Sequence, residues 1–148
     1  MFRIYLDVCC LNRPFDDFAQ ERVALEAEAV LTILNRGLQG QWYLLDSSVI
    51  GVEIDRIPDE VRRQKVSAVR WLLHKAITLN DKIEVRALEL ESLGFKPYDS
   101  LHAACAEYGK ADVLLTTDDG FIRKAAKIKE FKIRIANPVM WLMEVVQK

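Results

Sequence analysis

Short apolar segments alternate with helical patterns along this chain, and the alternation limits its fold more than any other feature. Residues 2–6, 42–45, 113–116 and 133–136 have the short apolar character of buried strands. Between them, apolar residues recur at helical spacing, as in the long amphipathic pattern that begins near Val23 and ends near Gly37. Strands that alternate with helices form a parallel sheet covered by helices on both faces. We therefore predict an α/β fold with a mostly parallel central sheet.

The segments between these strands are predicted as follows. Residues 8–17 contain Asn12, Pro14 and paired acids, which favours a loop or one irregular turn. The cluster 46–48 is a good N-cap for a helix that ends near Arg56. Further helical patterns cover about 58–75 (an inserted helical pair), 80–94, the stretch from the turn 96–99 to Gly109, 121–129, and the chain from Pro138 onward.

Length and composition favour one globular domain, a single unit over residues 1–148. The chain is 51% hydrophobic, and its 21 basic and 22 acidic side chains give a net charge of −1. Any role with nucleic acid must therefore rest on a local basic patch. Three cysteines, two of them adjacent at Cys9 and Cys10, make a poor disulfide framework and favour a reducing cytoplasm. We expect no signal peptide and no membrane span, because Asp7 interrupts the first apolar run and no run reaches about 18 residues.

Acidic residues lie where the predicted strands end. Asp7 directly follows the first strand, Asp118 follows the third, Glu53 lies in the helix after the second, and Asp99 begins a helix after a proline turn. Each acid alone also fits a turn, a helix cap or a solvated face. Because ligands bind beyond the carboxyl ends of parallel strands, we expect the four carboxylates to converge there. Clustered carboxylates suit Mg²⁺ or Mn²⁺, which support phosphodiester hydrolysis without a Ser, Cys or His nucleophile.

Four motifs carry a family resemblance. Tyr5-Leu6-Asp7, Ser48 to Glu53, Asp99-Ser100-Leu101-His102-Ala103-Ala104 and Thr116-Thr117-Asp118-Asp119-Gly120-Phe121 resemble the acidic motifs of the PIN domain, in that order. The last two motifs are the most specific, and the match extends over nearly the whole chain. The resemblance implies a three-layer α/β/α sandwich.

The resemblance also implies a Mg²⁺- or Mn²⁺-dependent ribonuclease. It places Asp7, Glu53, Asp99 and Asp118 in the catalytic site, with Asp7, Asp99 and Asp118 as metal ligands. Many small bacterial and archaeal members are toxins of VapBC-type pairs, which are usually dimeric and are held inactive by an antitoxin. An RNA substrate, a small antitoxin partner and a homodimer are thus the expected partners.

The substrate-binding residues are predicted from charge and position. Arg123 and Lys124 begin a basic stretch after the last acidic motif, and a second stretch includes Arg62 and Arg70 on the inserted helix. Either stretch could hold an RNA backbone, and a solvated helix face explains each equally well. The Ser- or Thr-rich turn common after the first acid is absent, and Asn12 is the nearest polar replacement.

Other functions compete with a nuclease. A catalytically inactive PIN-like module that binds RNA or protein fits the same fold. A phosphoacceptor receiver domain is disfavoured because a single acid follows the first strand and no Lys ends a strand. A nucleotide-cofactor enzyme is disfavoured because the chain has no Gly-rich phosphate loop. His102 could bind Asp99 or a phosphate, and a packed or capping role is the simpler interpretation.

Overall fold

The computed structural model describes residues 1–129 and 131–146, and a five-stranded sheet lies at its centre. The strands are β1 (Arg3–Leu6), β2 (Tyr43–Ser47), β3 (Lys75–Ile77), β4 (Val113–Leu115) and β5 (Arg134–Ala136). All neighbouring strands are parallel, in the order β3-β2-β1-β4-β5. Successive side chains of a strand point to opposite faces, and Ile4, Tyr5 and Leu6 of the central strand are all fully buried. Both faces are therefore covered, which confirms the predicted α/β/α sandwich.

The described helices surround this sheet. They are α1 (Val8–Asn12), α2 (Glu21–Leu38), α3 (Ser48–Asp55), α4 (Glu60–Arg70), α5 (Asp81–Ser92), α6 (Pro97–Tyr108), α7 (Asp119–Ala126) and α8 (Pro138–Val146), and Arg13–Phe15 forms a 3₁₀ turn. Helix α2 packs against α8, and α5 packs against α6. Among the helices of this described part, none combines the length and apolar character needed to cross a membrane.

The strand order places a crevice at the carboxyl ends of β1 and β4. The chain runs from β1 to β2 and β3 on one side, whereas β4 and β5 lie on the other side of β1. Open α/β sheets bind ligands where the strand order reverses in this way. The register pairs Leu6 with Leu115, so the next residues, Asp7 and Thr116, lie side by side at this edge.

The segment after β1 differs from its prediction. The loop or irregular turn predicted for residues 8–17 is wrong, because α1 and the 3₁₀ turn occupy most of this segment. The Asp7 side chain caps α1 by accepting a hydrogen bond from the Val8 backbone N–H at 2.7 Å, and Val8, Cys10 and Leu11 are buried. A five-residue helix is too short for a periodic pattern to reveal it.

The sequence analysis also misses β3. The inserted helical pair predicted for about 58–75 is wrong in its second half, because α4 ends at Arg70 and β3 begins at Lys75. Lys75 and Ala76 are exposed and only Ile77 is buried, so no apolar alternation marks this edge strand. The strand forms through its backbone pairing with β2.

A buried carboxylate joins three elements behind the crevice. Glu26 of α2 is 1% exposed. Its oxygens accept hydrogen bonds from Nε of Arg13 at 2.8 Å, Nε of Arg22 at 3.1 Å and Nδ2 of Asn137 at 2.6 Å. Because a buried charge is costly without such partners, Glu26 links the 3₁₀ turn, α2 and the start of α8.

Candidate metal centre

Asp7 is held rigidly at the end of β1. One carboxylate oxygen, Oδ1, accepts from the Val8 backbone N–H, and the other, Oδ2, accepts from the Thr116 hydroxyl at 2.9 Å. The Cys9 thiol lies 3.4 Å from Oδ2. Asp7 is 6% exposed, so its carboxylate is presented from a buried and fixed position.

Thr116 also connects Asp7 to the last acidic motif. Its hydroxyl oxygen accepts from the Asp118 backbone N–H at 3.1 Å. The Asp118 side chain in turn caps α7, with Oδ1 accepting from Gly120 and Phe121 backbone N–H groups at 2.9 and 3.2 Å. The hydroxyl that is missing from the turn after Asp7 is therefore supplied by the residue after β4. Asn12 does not replace it.

Asp99 faces the same cluster from α6. It lies in the first turn of this helix, which begins at Pro97, and is half-buried. Burial, followed by the negative charges of Asp7 and Asp118, raises the pKa of the Asp99 carboxyl to about 6. Burial is the larger cause, and the two neighbouring carboxylates add negative charge that a cation would offset.

Glu53 extends from α3 and contacts a buried histidine next to the carboxylate cluster. Its Oε1 lies 2.7 Å from Nε2 of His102, and Nδ1 of the same ring lies 2.6 Å from the Tyr5 hydroxyl. His102 is fully buried, and burial by itself lowers the pKa of its ring. The Glu53 hydrogen bond and the charges of Asp7, Glu53 and Asp99 together outweigh this effect, so the pKa of His102 lies above its ordinary value. His102 is thus a packed and bonded residue, and its hydrogen bonds are to Glu53 and Tyr5.

The donor atoms fit a hard divalent cation. Ligand atoms of Asp7, Glu53 and His102 all lie within 4.8 Å of one another, and the pKa of Asp99 responds to the charges of Asp7 and Asp118. Carboxylate oxygens are the ligands that Mg²⁺ and Mn²⁺ prefer. The structure therefore brings Asp7 and Glu53 together with His102 at one edge of the sheet, and it places Asp99 where the charges of Asp7 and Asp118 act on its carboxyl.

The other predicted site residues lie on α1 and α7. Asn12 is bonded within the protein, because its Nδ2 donates to the Val8 carbonyl at 3.0 Å and its Oδ1 lies 3.4 Å from Arg62. Arg123 and Lys124 are exposed in the last turn of α7, the helix that Asp118 caps. Asp119 is exposed and forms a bidentate pair with Arg22 at 2.8 Å.

The second basic stretch is largely engaged within the fold. Arg62 pairs with Asp16 at 2.7 Å, and Arg70 pairs with Asp46 at 2.9 Å. These ion pairs fix α4 against its neighbours. The basic side chains that begin at Arg123 are thus the better candidates for holding a phosphate backbone.

Sequence reasoning missed the side chains that support the acids. Tyr5 and Thr116 belong to the quoted motifs, yet their polar contacts with His102 and Asp7 join residues 97 and 109 positions apart. A polar residue inside an otherwise apolar strand was the signal available for Tyr5, whose hydroxyl also lies 2.7 Å from the Ser47 hydroxyl.

Comparison with known proteins identifies the family. A family model for the PIN domain matches residues 4–127, so the chain belongs to the PIN domain family. No curated protein sequence matches it.

Two solved structures support the fold. One is a chain of the crystal structure of VapBC2 from Rickettsia felis bound to a DNA fragment from the VapBC2 promoter. It superposes on this chain with a TM-score of 0.59 and 16% sequence identity, and the match covers 92% of this chain and 98% of that chain. PAE2754 from Pyrobaculum aerophilum superposes with a TM-score of 0.53 and 16% identity over 99% of this chain and 91% of that chain. At these identities the similarity shows the fold alone.

Proposed function

We propose that this protein is a divalent-metal-dependent endoribonuclease that hydrolyses RNA phosphodiester bonds. The observation that carries the proposal is the carboxylate cluster at the carboxyl edge of the sheet: donor atoms of Asp7, Glu53 and His102 lie within 4.8 Å of one another, and the charges of Asp7 and Asp118 help to raise the pKa of Asp99. Membership of the PIN domain family supports it. The cluster suits metal-assisted hydrolysis, since it holds oxygen ligands and needs no covalent nucleophile.

Asp7, Asp99 and Asp118 would hold the cation, Mg²⁺ or Mn²⁺, and Glu53 would act beside them. When bound, the cation neutralises phosphate charge and lowers the pKa of a coordinated water. The protein fixes the ligands beforehand: Thr116 and the Val8 backbone N–H orient Asp7, and the first turn of α7 orients Asp118. Such preorganisation reduces the cost of assembling the charged site.

The RNA would be held next to this edge by basic side chains. Arg123 and Lys124 lie five and six residues beyond Asp118 on α7, which places them about 7–9 Å along the helix axis at 1.5 Å per residue. Phosphate contacts of this kind position the backbone without reading sequence. Asn12 remains a proposed substrate residue, and it would have to exchange its present hydrogen bonds for an RNA contact.

We further propose that the protein is the toxin of a toxin–antitoxin pair, with a small antitoxin as partner. The fold similarity to a chain of the VapBC2 complex supports this. A homodimer and a cytoplasmic location are part of the same proposal. The three cysteines, Cys9, Cys10 and Cys105, are all free, which fits a reducing compartment.

Cleavage of a mixed RNA pool, with Mn²⁺ and with a chelator, tests the proposed activity. We expect Mn²⁺-dependent endonucleolytic products from the wild type and none from Asp99→Asn. The matched control is Asp55→Asn, an exposed acid at the end of α3, which should cleave normally. Cleavage by Asp99→Asn at the wild-type rate would refute the mechanism. RNA retention without cleavage, independent of metal, would favour the inactive binding module.

A further inference from the structure

A chain of hydrogen bonds runs beneath the carboxylate cluster from β2 to α3. The Ser47 hydroxyl lies 2.7 Å from the Tyr5 hydroxyl, which lies 2.6 Å from Nδ1 of His102. Nε2 of His102 then lies 2.7 Å from Oε1 of Glu53. Ser47, Tyr5 and His102 are fully buried, whereas the Glu53 side chain retains 29% exposure. The chain thus leads from the interior to one acid of the candidate site.

The direction of the last hydrogen bond is set by chemistry. An ionised carboxylate only accepts hydrogen bonds, so Nε2 of His102 carries the proton and donates it to Glu53. The same nitrogen lies 3.6 Å from Oδ1 of Asp7, beyond a good hydrogen bond. His102 therefore holds Glu53 and keeps its carboxylate next to Asp7.

We propose that the Tyr5–His102 pair positions the Glu53 carboxylate beside Asp7, so that Glu53 joins the three aspartates as a further oxygen ligand of one cation site. This proposal rests on the proposed function. A glutamate has three side-chain torsions, and Glu53 is partly exposed here, so without a partner it would sample several rotamers. Tyr5 fixes the imidazole ring by bonding Nδ1, and the ring fixes Glu53. His102 acts through Glu53 and is a positioning residue.

The arrangement argues against His102 as a metal ligand. Both ring nitrogens already have partners in the protein, and Nε2 can bind a cation only if it gives up its proton and its Glu53 contact. Residues behind the ligands of metal sites commonly orient them in this way, and their substitution typically weakens metal affinity about 10–100-fold.

Calorimetric titration with Mn²⁺ alone tests the proposal. The variants are His102→Leu, which removes both ring nitrogens, His102→Gln, whose amide can still donate to Glu53, and Tyr5→Phe, which removes one hydroxyl from a nearly unchanged ring. Asp7→Asn serves as the direct-ligand reference, and Asp55→Asn serves as the surface control. Circular dichroism checks folding, and if His102→Leu does not fold, Tyr5→Phe decides.

We expect His102→Leu to weaken Mn²⁺ binding at least about tenfold, Tyr5→Phe to weaken it in the same direction, and His102→Gln to recover part of the loss. A readout without metal is the proton NMR signal of the His102 Nε2–H, which should shift in Glu53→Gln and stay unchanged in Asp55→Asn.

Three results would overturn the proposal. Wild-type affinity in His102→Leu and Tyr5→Phe, with binding lost in Asp7→Asn, would refute the positioning role and leave the proposed function intact. Complete loss in His102→Gln with no effect of Tyr5→Phe would make His102 a ligand. Absence of Mn²⁺ binding by the wild type would refute both this proposal and the proposed function.

Discussion

Replacing Asp99 by asparagine should make the metal-free protein more stable. The pKa of this carboxyl is about 6, against an ordinary value of 3.8, because it is ionised in a partly buried site that faces Asp7 and Asp118. A difference of this size corresponds to about 3 kcal/mol at neutral pH. Asp99 is partly exposed, so solvent and salt screen the repulsion, and we expect Asp99→Asn to stabilise the fold by about 1–2 kcal/mol at pH 8.

The pH dependence has a definite sign. The folded state binds the Asp99 proton more tightly than the unfolded chain, so this group contributes its full stability below about pH 3.8 and loses it as the pH rises through about 6. The advantage of Asp99→Asn should therefore be complete near pH 8, shrink as the pH falls through about 6, and disappear below about pH 3.8, where the wild-type carboxyl is protonated in both the folded and the unfolded state.

Urea denaturation with excess chelator measures this difference. Mn²⁺ should reverse the order, because a cation bound only by the folded state stabilises the wild type and binds Asp99→Asn weakly. The control Asp55→Asn should change stability by no more than a few tenths of a kcal/mol. If Asp99→Asn is no more stable than the wild type at pH 8 without metal, Asp99 does not lie in a repulsive cluster and the reasoning fails.

Three further predictions test the supporting structure. An added Cβ in Gly51→Ala would lie 2.5 Å from Nη1 of Arg70, so the guanidinium must shift from Asp46 and this loss should offset the helix-propensity gain to within about 0.5 kcal/mol. In an Arg70→Ala background the same change should stabilise the fold by about 1 kcal/mol in urea denaturation, and equal effects in both backgrounds would contradict the contact. Glu26→Gln should lower the free energy of unfolding by about 2–3 kcal/mol, since it removes a buried charge that three partly buried hydrogen bonds share, and a loss under about 0.5 kcal/mol would show that those contacts contribute little. Lys124→Ala should weaken RNA binding and reduce its salt dependence while Mn²⁺ affinity is unchanged, and an unaltered salt slope in filter binding would remove Lys124 from the RNA surface.

The sequence predicts those parts of the fold whose signal is local. Residues 4–6 and 113–115 are mostly apolar and are buried, so their composition identifies these two strands. The amphipathic α2 has the helical spacing of its buried residues. By contrast, β3 is an edge strand with two exposed residues, and it exists only because β2 offers backbone partners. The three residues of β3 contain no pattern that indicates pairing with β2, which lies 30 residues earlier in the chain.

In the candidate site, too, some residues could be predicted from local sequence signals and others could not. The four acids could be selected because strand ends of a parallel sheet meet at one edge, and Asp7 and Glu53 lie within one cluster of donor atoms there. The side chains that orient the acids could not be selected from the sequence. Thr116, after β4, bonds Asp7, after β1, and His102 of α6 bonds Glu53 of α3. Such contacts depend on register and helix crossing, which one sequence does not specify. The turn after Asp7 illustrates this, because it has no hydroxyl side chain and the hydroxyl that bonds Asp7 comes from Thr116, the residue after β4.

Mn²⁺ titration of the wild type, Asp7→Asn and Asp99→Asn by calorimetry tests the central claim most directly. Asp55→Asn is the matched control. If the carboxylates form one cation site, the wild type binds Mn²⁺, each of the two site variants loses most of that binding, and the control binds normally. A wild type that binds no Mn²⁺, or site variants that bind it as tightly as the wild type, would contradict the account and leave the acids as helix caps and turn residues.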